Sequence, residues 1–365
     1  MAIALILAAG LALQASAVPP ATPPAAPLNL VVLDLATLSP GRLKPGFDFM
    51  TSSGAVFDAA IAQADRPAPS LASILTSEYA AAHGVLGAEA GLSTSALLLP
   101  EILARAGYRT ALFEAGKPPA PDLERGFEDR HAAETFGSAA DESRRWLARR
   151  PKEPFFLFVR GGGASDAAAV RALWEDLARG GLLSRTVVML IAENGPRGPG
   201  VLADGVLRVP LVVWAPGVRP HRVGRIVSAI DAAPTALALM GLPVPVEFEG
   251  TERGALALST AAVPAAEGCA FSAAIADGAK PSIAAYSARE ADWKLVYEKK
   301  SGSFRLFDLR ADPKEASDAS ERAPDIALDL TQRLLRHIRE TQGGPERPRA
   351  VSSDVLRRLR EKGYW

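Results

Sequence analysis

The sequence predicts an α/β fold with a mostly parallel central sheet flanked by helices, followed by a small C-terminal antiparallel hairpin plus helix. Short apolar runs at residues 28–36, 154–160 and 185–195 have the continuous hydrophobicity of strands that are buried on both faces. Segments with helical periodicity separate these runs, which is the alternation of a parallel sheet. From about residue 280 the pattern changes to two strand-like runs around the turn Ser301-Gly302-Ser303.

Composition is that of an ordinary globular protein. The chain has 365 residues, 48% of them hydrophobic and 22% charged, which is enough for one large domain or two modest ones. The 41 Lys and Arg residues balance the 41 Asp and Glu residues, so the formal net charge is zero. Bulk charge therefore does not recruit nucleic acid or an anionic membrane, and we expect no nucleic-acid partner.

The N-terminus predicts export. Residues 1–17 combine an apolar run from Ile3 to Leu13 with Ala15-Ser16-Ala17, a pattern typical of signal-peptide cleavage sites. An uncleaved membrane anchor is the alternative, because no Lys or Arg precedes the apolar run. The run is short for a membrane span, which favours export. Residues 18–27 form a Pro-rich tether. The single cysteine, Cys269, cannot form an internal disulfide, and export without disulfides favours a bacterial periplasm or exterior.

The expected elements alternate along an α/β domain at 28–270. Gly107 ends one helix and Gly180-Gly181 another, because glycine accepts the left-handed backbone at a helix terminus. A subdomain at 271–345, with a hairpin and an amphipathic helix at 323–342, and a charged tail at 346–365 complete the chain. The elements of the first domain are strands at 28–36, 108–115, 154–160, 185–195 and 208–217 and helices at 70–80, 96–106, 139–149, 166–180 and 228–241.

Seven segments occur in an order that resembles a known family. The chain is similar to the sulfatase family of the alkaline-phosphatase-like superfamily from about residue 28 to 340, and it is identified as a shortened member with degenerate catalytic motifs. The segments are NLVVLDLATLSPGRL, PSLASILTSEYAAAHGV, PEILARAGYRTALF, GLLSRTVVMLIAENGP, LRVPLVVWAPGV, VSAIDAAPTALALMGLPVP and ADWKLVYEKKSGSFRLFDLRADPKE.

The resemblance implies a metal-assisted hydrolysis of sulfate esters. In the family a divalent cation, usually calcium, activates an oxygen nucleophile and offsets the charge of the sulfuryl group. Its oxygen ligands include Asp residues after the first strand and an Asp-Asn-Gly or Asp-His-Gly after a later strand. The nucleophile is a Cys or Ser matured to formylglycine, three residues before the Ser of a Cys/Ser-x-Pro-Ser-Arg motif. Lys, Arg and His side chains hold the sulfate.

The metal ligands of the first strand are missing. An ungapped match puts Ala36 at the position of the metal-binding Asp and Gly41 at that of a later Asp. Asp34 lies two residues before Ala36, so both side chains point to the same face of a strand. Asp34 is therefore a candidate replacement ligand, and the alternative is a buried Asp that accepts hydrogen bonds from nearby backbone N–H groups.

The nucleophile is missing as well. Pro67 occupies its position, while Pro69 and Ser70 match the Pro-Ser of the motif and Leu71 replaces the Arg. Ser70 could act as a nucleophile, but a Ser before an apolar helical run favours a helix N-cap. His83 matches the family's His-Gly-Val, and its alternative role is a structural imidazole in a turn.

Polar candidates remain at two other strand ends. Glu193 replaces the later Asp, while Asn194 is kept, so these two residues could contact a metal or ligand or form an ordinary polar turn. Arg160 stands where many relatives have a His, and Arg208 matches a basic residue near the family's pocket. Both are candidate ligand-binding residues, although Arg208 is structural in many members.

Three functional hypotheses follow. The first is an exported sulfatase-like protein without catalytic power, whose calcium site is weak or lost. It binds a sulfated or otherwise anionic small molecule or glycan, or a protein partner, through the cleft. The second is a divergent hydrolase, in which Asp34, Glu193 and Asn194 converge within about 5 Å around one metal whose bound water is the nucleophile. The third is a structural or interaction module with no ligand in its cleft.

Overall fold

A computed structural model describes residues 27–149, 151–196, 200, 202–260 and 268–342. The predicted leader at 1–17, the Pro-rich tether except its last residue, and the charged tail at 346–365 lie outside the described residues. Among the described helices, none is long and apolar enough to cross a membrane.

The larger sheet of the described chain has eight strands in the order β4-β3-β5-β1-β6-β7-β2-β8. Only β7 runs antiparallel to its neighbours, so the prediction of a mostly parallel central sheet is confirmed. The strands are β1 Asn29–Asp34, β2 Ala55–Ile61, β3 Arg109–Ala115, β4 Asp129–Ala133, β5 Phe155–Arg160, β6 Thr186–Ile191, β7 Arg208–Trp214 and β8 His221–Ser228.

Sequence reasoning did not identify β2, β4 and β8. Strand β2 is rich in alanine, which is not typical of strands. Strands β4 and β8 lie at the two edges of the sheet, where charged and half-exposed residues replace a continuous apolar run. The predicted apolar runs, by contrast, became the central strands β1, β5 and β6, which are buried along their whole length.

Helices cover both faces of this sheet. The described α-helices are α1 Asp48–Thr51, α2 Pro67–Thr76, α3 Ala80–His83, α4 Leu99–Arg105, α5 Phe136–Ala148, α6 Ala167–Arg179, α7 Asp204–Leu207, α8 Ala232–Leu239, α9 Gly254–Leu258 and α10 Pro324–Gln342. Side chains of α2, α4 and α8 meet Val32, Phe158 and Met189 on one face. On the other face, Trp146 of α5 packs edge-on against Phe155.

Helix α2 begins three residues earlier than the sequence predicts. Its N-cap is Arg66, with φ −139° and ψ 150°, and Pro67 is the first helical residue. Proline suits this position because its fixed φ is helical and its missing N–H would have no partner there. The prediction that Ser70 caps the helix is therefore wrong, since Ser70 lies inside the first turns.

The second sheet of the described chain has four antiparallel strands in the order β12-β11-β10-β9. The predicted hairpin is confirmed as β11 and β12, and two further strands extend it. Leu330 and Leu334 of α10 are fully buried in the apolar cluster of this sheet. The strands are β9 Ala270–Ala276, β10 Ser282–Arg289, β11 Trp293–Glu298 and β12 Ser303–Asp308.

The two sheets are tied together next to the first turn of α2. Ser272 Oγ of β9 donates to Ala62 O at 2.6 Å, and Ala273 N donates to Gln63 O at 2.9 Å. These bonds hold the loop between β2 and α2 against the second sheet. The domain boundary at 270/271 stays a prediction, and β9 begins beside it.

Candidate functional site

One row of charged residues crosses the carboxyl ends of the central strands. In register, Glu114 of β3 pairs with Arg160 of β5, and Arg160 pairs with Asp34 of β1. Paired residues of parallel strands project to the same face, at a strand spacing of about 4.8 Å. Asp34 also pairs with Ile191 of β6, and Glu193 lies two residues further on, so the pleat returns it to that face. The sheet therefore collects four charged side chains, which we call the buried charge cluster.

Arg160 lies at the centre of the buried charge cluster. Its Nε donates to Glu193 Oε1 at 2.7 Å, and its Nη1 donates to Glu114 Oε2 at 3.4 Å. The distance from Nε to Asp34 Oδ2 is 3.8 Å. The side chains of Asp34 and Glu193 are fully buried, and that of Arg160 is 8% exposed. One guanidinium thus faces three carboxyl groups with almost no access for solvent.

Burial raises the pKa of each carboxyl group in the cluster. The pKa of Asp34 lies well above its usual range because of burial and the neighbouring Glu193, and Arg160 opposes the rise. The pKa of Glu193 is also raised by burial, against the attraction of Arg160. Burial raises the pKa of Glu114 to about 7.

The structure corrects the expected partners of Asp34. Neither of its carboxylate oxygens accepts a hydrogen bond from a backbone N–H of the described chain. Glu193 Oε2 and Asn194 Oδ1 are likewise buried without a hydrogen-bond partner among the described residues.

The residues present do not fit the divalent cation that the family implies. Ala36 has no ligand atom in its side chain, and its carbonyl accepts a hydrogen bond from Asn194 N at 3.2 Å. Asp34 and Glu193 do converge, but Arg160 lies against both. Asn194 is turned elsewhere, since its Nδ2 donates to Ala64 O at 2.8 Å. In the described part of the chain, no three His, Cys, Asp or Glu side chains are arranged to hold a metal ion.

A cleft of about 770 Å³ opens at the same edge of the sheet. Pro67, at the expected position of the nucleophile, lies on its wall. Asn194 lines the cleft, whereas Asp34, Arg160 and Glu193 are not among its lining residues. The described lining residues are Thr37, Asp65, Arg66, Pro67, Ala68, Pro69, Gly87, Ala88, Pro119, Asn194, Gly195, Gly200, Leu202, Val206 and Asp277.

The start of α2 offers few hydrogen-bond donors to this cleft. Pro67 and Pro69 have no N–H, and Ser70 N donates to Arg66 O at 3.1 Å. Of the first four helical residues, only Ala68 therefore keeps an N–H for a ligand. The nearby Arg66 guanidinium is paired with the Asp277 carboxylate through both Nη1 and Nη2.

Ser70 and His83 are buried below the cleft. Ser70 is 1% exposed, and its hydroxyl donates to Ala64 O at 3.0 Å. His83 Nδ1 accepts from Val85 N at 3.1 Å, so the ring proton lies on Nε2, which is 3.0 Å from Ser73 Oγ. Burial lowers the pKa of His83 to about 3. A neutral, fully paired imidazole in this position holds the turn after α2 and activates no hydroxyl.

Arg208 lies outside the cleft. Its Nε and Nη2 donate to Asp58 O at 2.9 and 2.7 Å. It lines a separate pocket of about 240 Å³ together with Arg289 and Arg310. Ligand binding by Arg208 stays a prediction, and the structure separates this residue from Pro67 and Asn194.

Sequence reasoning missed Glu114 in the cluster and the Arg66–Asp277 pair in the cleft. Glu114 could have been found, because it is a polar residue at the carboxyl end of a predicted strand, just as Asp34 is. The Arg66–Asp277 contact joins residues 211 positions apart, and no local pattern indicates it.

The chain is similar to known proteins in sequence and in fold. Residues 201–341 match the family model described as N-sulphoglucosamine sulphohydrolase, C-terminal. Arylsulfatase K of Rattus norvegicus is 26% identical over 167 residues, which cover 42% of this chain and 30% of that protein. The aligned part thus spans under a third of the relative's length.

Solved structures share the fold over most of the chain. BT4656, solved with its substrate D-glucosamine-2-N,6-O-disulfate, has a TM-score of 0.73 at 14% identity and covers 89% of this chain and 100% of its own. The phosphonate monoester hydrolase of Agrobacterium radiobacter has a TM-score of 0.71 at 17% identity and covers 86% of this chain and 96% of its own. Sequence identities this low establish a shared fold, but they do not indicate a substrate for this chain.

The eight-stranded, mostly parallel sheet joined to a small antiparallel sheet is the α/β fold that this chain shares with these solved structures. The family-model match and the arylsulfatase relatives add a similarity in sequence to this similarity in fold. The chain is thus similar to the sulfatase family, in sequence over the matched segments and in fold over most of its length.

Proposed function

We propose that this sulfatase-like protein does not hydrolyse sulfuric or phosphoric esters. The observation that carries the proposal is Pro67 on the wall of the cleft, where the family has its nucleophile. Proline has no nucleophilic atom in its side chain. The nearest alternative, Ser70, is buried and donates its hydroxyl proton to a backbone carbonyl, so it does not face a substrate in the cleft.

The missing metal ligands support the same conclusion. A covalent nucleophile and an activating cation each lower the barrier of such a reaction by several kcal/mol. The positions Ala36 and Gly41 supply no carboxylate, and Arg160 lies against the two carboxyl groups that remain. Without the nucleophile and without the activating cation, we expect the protein not to hydrolyse such an ester much faster than water does.

A turnover assay tests the proposal against the divergent-hydrolase alternative. Purified protein is incubated with 4-nitrophenyl sulfate and 4-nitrophenyl phosphate in the presence of Ca²⁺, Mg²⁺, Mn²⁺ or Zn²⁺. We expect no release of 4-nitrophenol above that of heat-denatured protein. Turnover that disappears in Glu193→Ala but persists in Arg222→Ala, a surface variant, would overturn the proposal and support a metal-bound water at Glu193.

We also propose that the cleft binds a sulfated or otherwise anionic glycan fragment. Its volume of about 770 Å³ suits a small sugar ligand, and Arg66 and the N–H of Ala68 are donors for a sulfate group. Asp277 now pairs with Arg66, but its side chain is 85% exposed, and exposed ion pairs are weak. A sulfate would displace this carboxylate from Arg66.

Calorimetric titration with D-glucosamine-2-N,6-O-disulfate tests the ligand proposal. We expect Arg66→Ala to weaken binding about tenfold, because a charge-assisted hydrogen bond is lost, and Asp277→Ala to strengthen it. Arg222→Ala is the matched control, since Arg222 is an exposed arginine paired with Asp58 on another face of the protein. Absence of binding to the unaltered protein would favour the structural or interaction module instead.

We propose that the protein is exported to the bacterial periplasm or exterior, from the pattern of residues 1–17. Expression of the full chain in a bacterium, followed by cell fractionation and N-terminal sequencing, tests this proposal. A mature N-terminus at Val18 supports cleavage. An uncut chain in the membrane fraction supports the anchor, and an uncut chain in the cytoplasm contradicts export.

A further inference from the structure

We infer that the Arg160 guanidinium is a built-in cation that takes the place of a divalent ion in this chain, so that the carboxyl edge of the sheet assembles without metal. The inference starts from a charge balance. Three carboxyl groups, those of Asp34, Glu114 and Glu193, lie within 3.8 Å of the guanidinium nitrogens. Buried carboxylates that lie close together repel one another, so a cation at this point stabilises the folded state.

The backbone explains why an arginine can do this. Strand β5 lies between β3 and β1 in the sheet, so a side chain from its last residue has a carboxyl group on either side. The guanidinium is planar, always charged and carries five N–H donors, and it can therefore serve Glu114 and Glu193 at once. Unlike a bound ion, it is covalently attached and cannot dissociate.

The same cluster retains oxygen atoms suited to a hard cation. Oxygens of Asp34, Glu193 and Asn194 are buried and accept no hydrogen bond in the described structure. Calcium binds carboxylate and amide carbonyl oxygens of this kind at 2.3–2.6 Å. Shortening Arg160 would remove the internal cation and open space beside these oxygens. We therefore expect an Arg160 variant to gain a dependence on divalent ions that the natural chain lacks.

This inference rests on the proposed loss of metal-dependent hydrolysis, but the two can fail separately. A chain that binds no ion yet hydrolyses esters would contradict the proposed function alone. A chain that binds calcium without hydrolysing esters would contradict the inference alone.

Thermal unfolding with and without ions is the test. The unaltered protein is treated with EDTA, analysed for metal content, and melted with and without 5 mM CaCl₂. We expect no bound metal in stoichiometric amount and an unchanged Tm. We expect Arg160→Ala to melt at a lower temperature and to recover about 3 °C or more when calcium is added. In Arg160→Ala/Glu193→Gln, which lacks one ligand charge, the calcium effect should disappear.

Two matched variants exclude a general effect of arginine loss. Arg160→Lys keeps a positive charge and should not respond to calcium. Arg144→Ala removes an arginine that pairs with Asp176 and Asp141 near the surface, and it should also not respond. If Arg160→Ala does not fold without ions, refolding in 5 mM CaCl₂ should rescue it. Stoichiometric calcium in the unaltered protein, or an Arg160→Ala variant that neither responds to calcium nor is rescued by it, would overturn the inference.

Discussion

At the scale of single residues, burial decides what each polar side chain does. Ser70 and His83 match a family motif in sequence, and both could be drawn as catalytic groups. In the structure both are buried and paired, Ser70 with the carbonyl of Ala64 and His83 with Ser73 and the backbone N–H of Val85. Their hydrogen bonds hold the loop before α2 and the turn after it.

Substitution of Ser70 tests this structural role. We expect Ser70→Ala to lower the free energy of unfolding by about 1 kcal/mol, because a buried hydrogen bond to Ala64 O is lost. Ser184→Ala is the matched control, since Ser184 makes the same kind of bond to Gly181 O at 3.0 Å on the surface, and its cost should stay below about 0.5 kcal/mol. Urea unfolding followed by circular dichroism measures both. Equal costs for the two variants would contradict the role assigned to Ser70.

Arg160 and Asp34 occupy positions that the sequence predicts, but they make a contact that it does not. Their positions at strand ends were predictable, because continuous apolar runs marked β1 and β5. Their contact was not predicted, because it depends on which strands are neighbours in the sheet. Sequence order does not reveal that β5 lies beside β1, since about 120 residues separate them along the chain.

At the scale of elements, the junction after β6 depends on a glycine. Gly195 N donates to Val206 O at 2.7 Å, which brings α7 against the end of β6. A Cβ at Gly195 would lie 2.0 Å from the carbonyl oxygen of Gly205. The glycine at 195 is thus required by a close backbone approach, whatever the state of the metal site.

Gly195→Ala should therefore be costly. We expect a loss of more than about 2 kcal/mol in the free energy of unfolding, because two backbone segments must separate. Gly205→Ala provides the control within the same contact, since a Cβ at Gly205 meets no atom within 4 Å. Denaturant unfolding of both variants gives the comparison. A Gly195→Ala protein as stable as Gly205→Ala would contradict the close approach.

Helix α2 illustrates the limit of element-level prediction. The sequence predicts a helix with apolar periodicity close to the functional site. It puts the start of this helix at Ser70, whereas the structure has it at Pro67. Because α2 begins at Pro67, both Pro67 and Pro69 lie inside its first turn instead of before the helix. They therefore reduce the number of N–H donors in that turn. The resemblance marks this turn as a site, and the actual helix start leaves the N–H of Ala68 and the side chain of Arg66 as its donors for an anion.

At the scale of the whole molecule, buried histidines link stability to pH. Burial lowers the pKa of His83 to about 3 and that of His337 to about 4. The unfolded chain takes up protons on these groups near pH 6.5, while the folded protein does not. The contribution of these two histidines to the free energy of unfolding should therefore fall as pH decreases below 6.5, and continue to fall until the folded-state pKa values are reached.

The variant His83→Asn isolates one of these groups. Its amide oxygen can replace Nδ1 as the acceptor for Val85 N, but it has no titrating proton. Between about pH 6 and pH 4.5 we expect the unaltered protein to lose about 2 kcal/mol more stability than the variant. The difference measured at pH 8, where His83 is neutral in both states, gives the cost of the substitution itself. Parallel pH profiles for the two proteins would contradict a low pKa for His83.

The sequence by itself determined the α/β class, the central strands, the C-terminal hairpin and the resemblance to sulfatases, because apolar periodicity and turn residues act over short distances. It also determined that Ala36 and Pro67 lack the required side-chain chemistry. Only the tertiary structure decided that Arg160 lies among the remaining carboxyl groups and that Arg208 faces another pocket. The physical reason is that both depend on strand order and register, which bring distant residues within hydrogen-bond range.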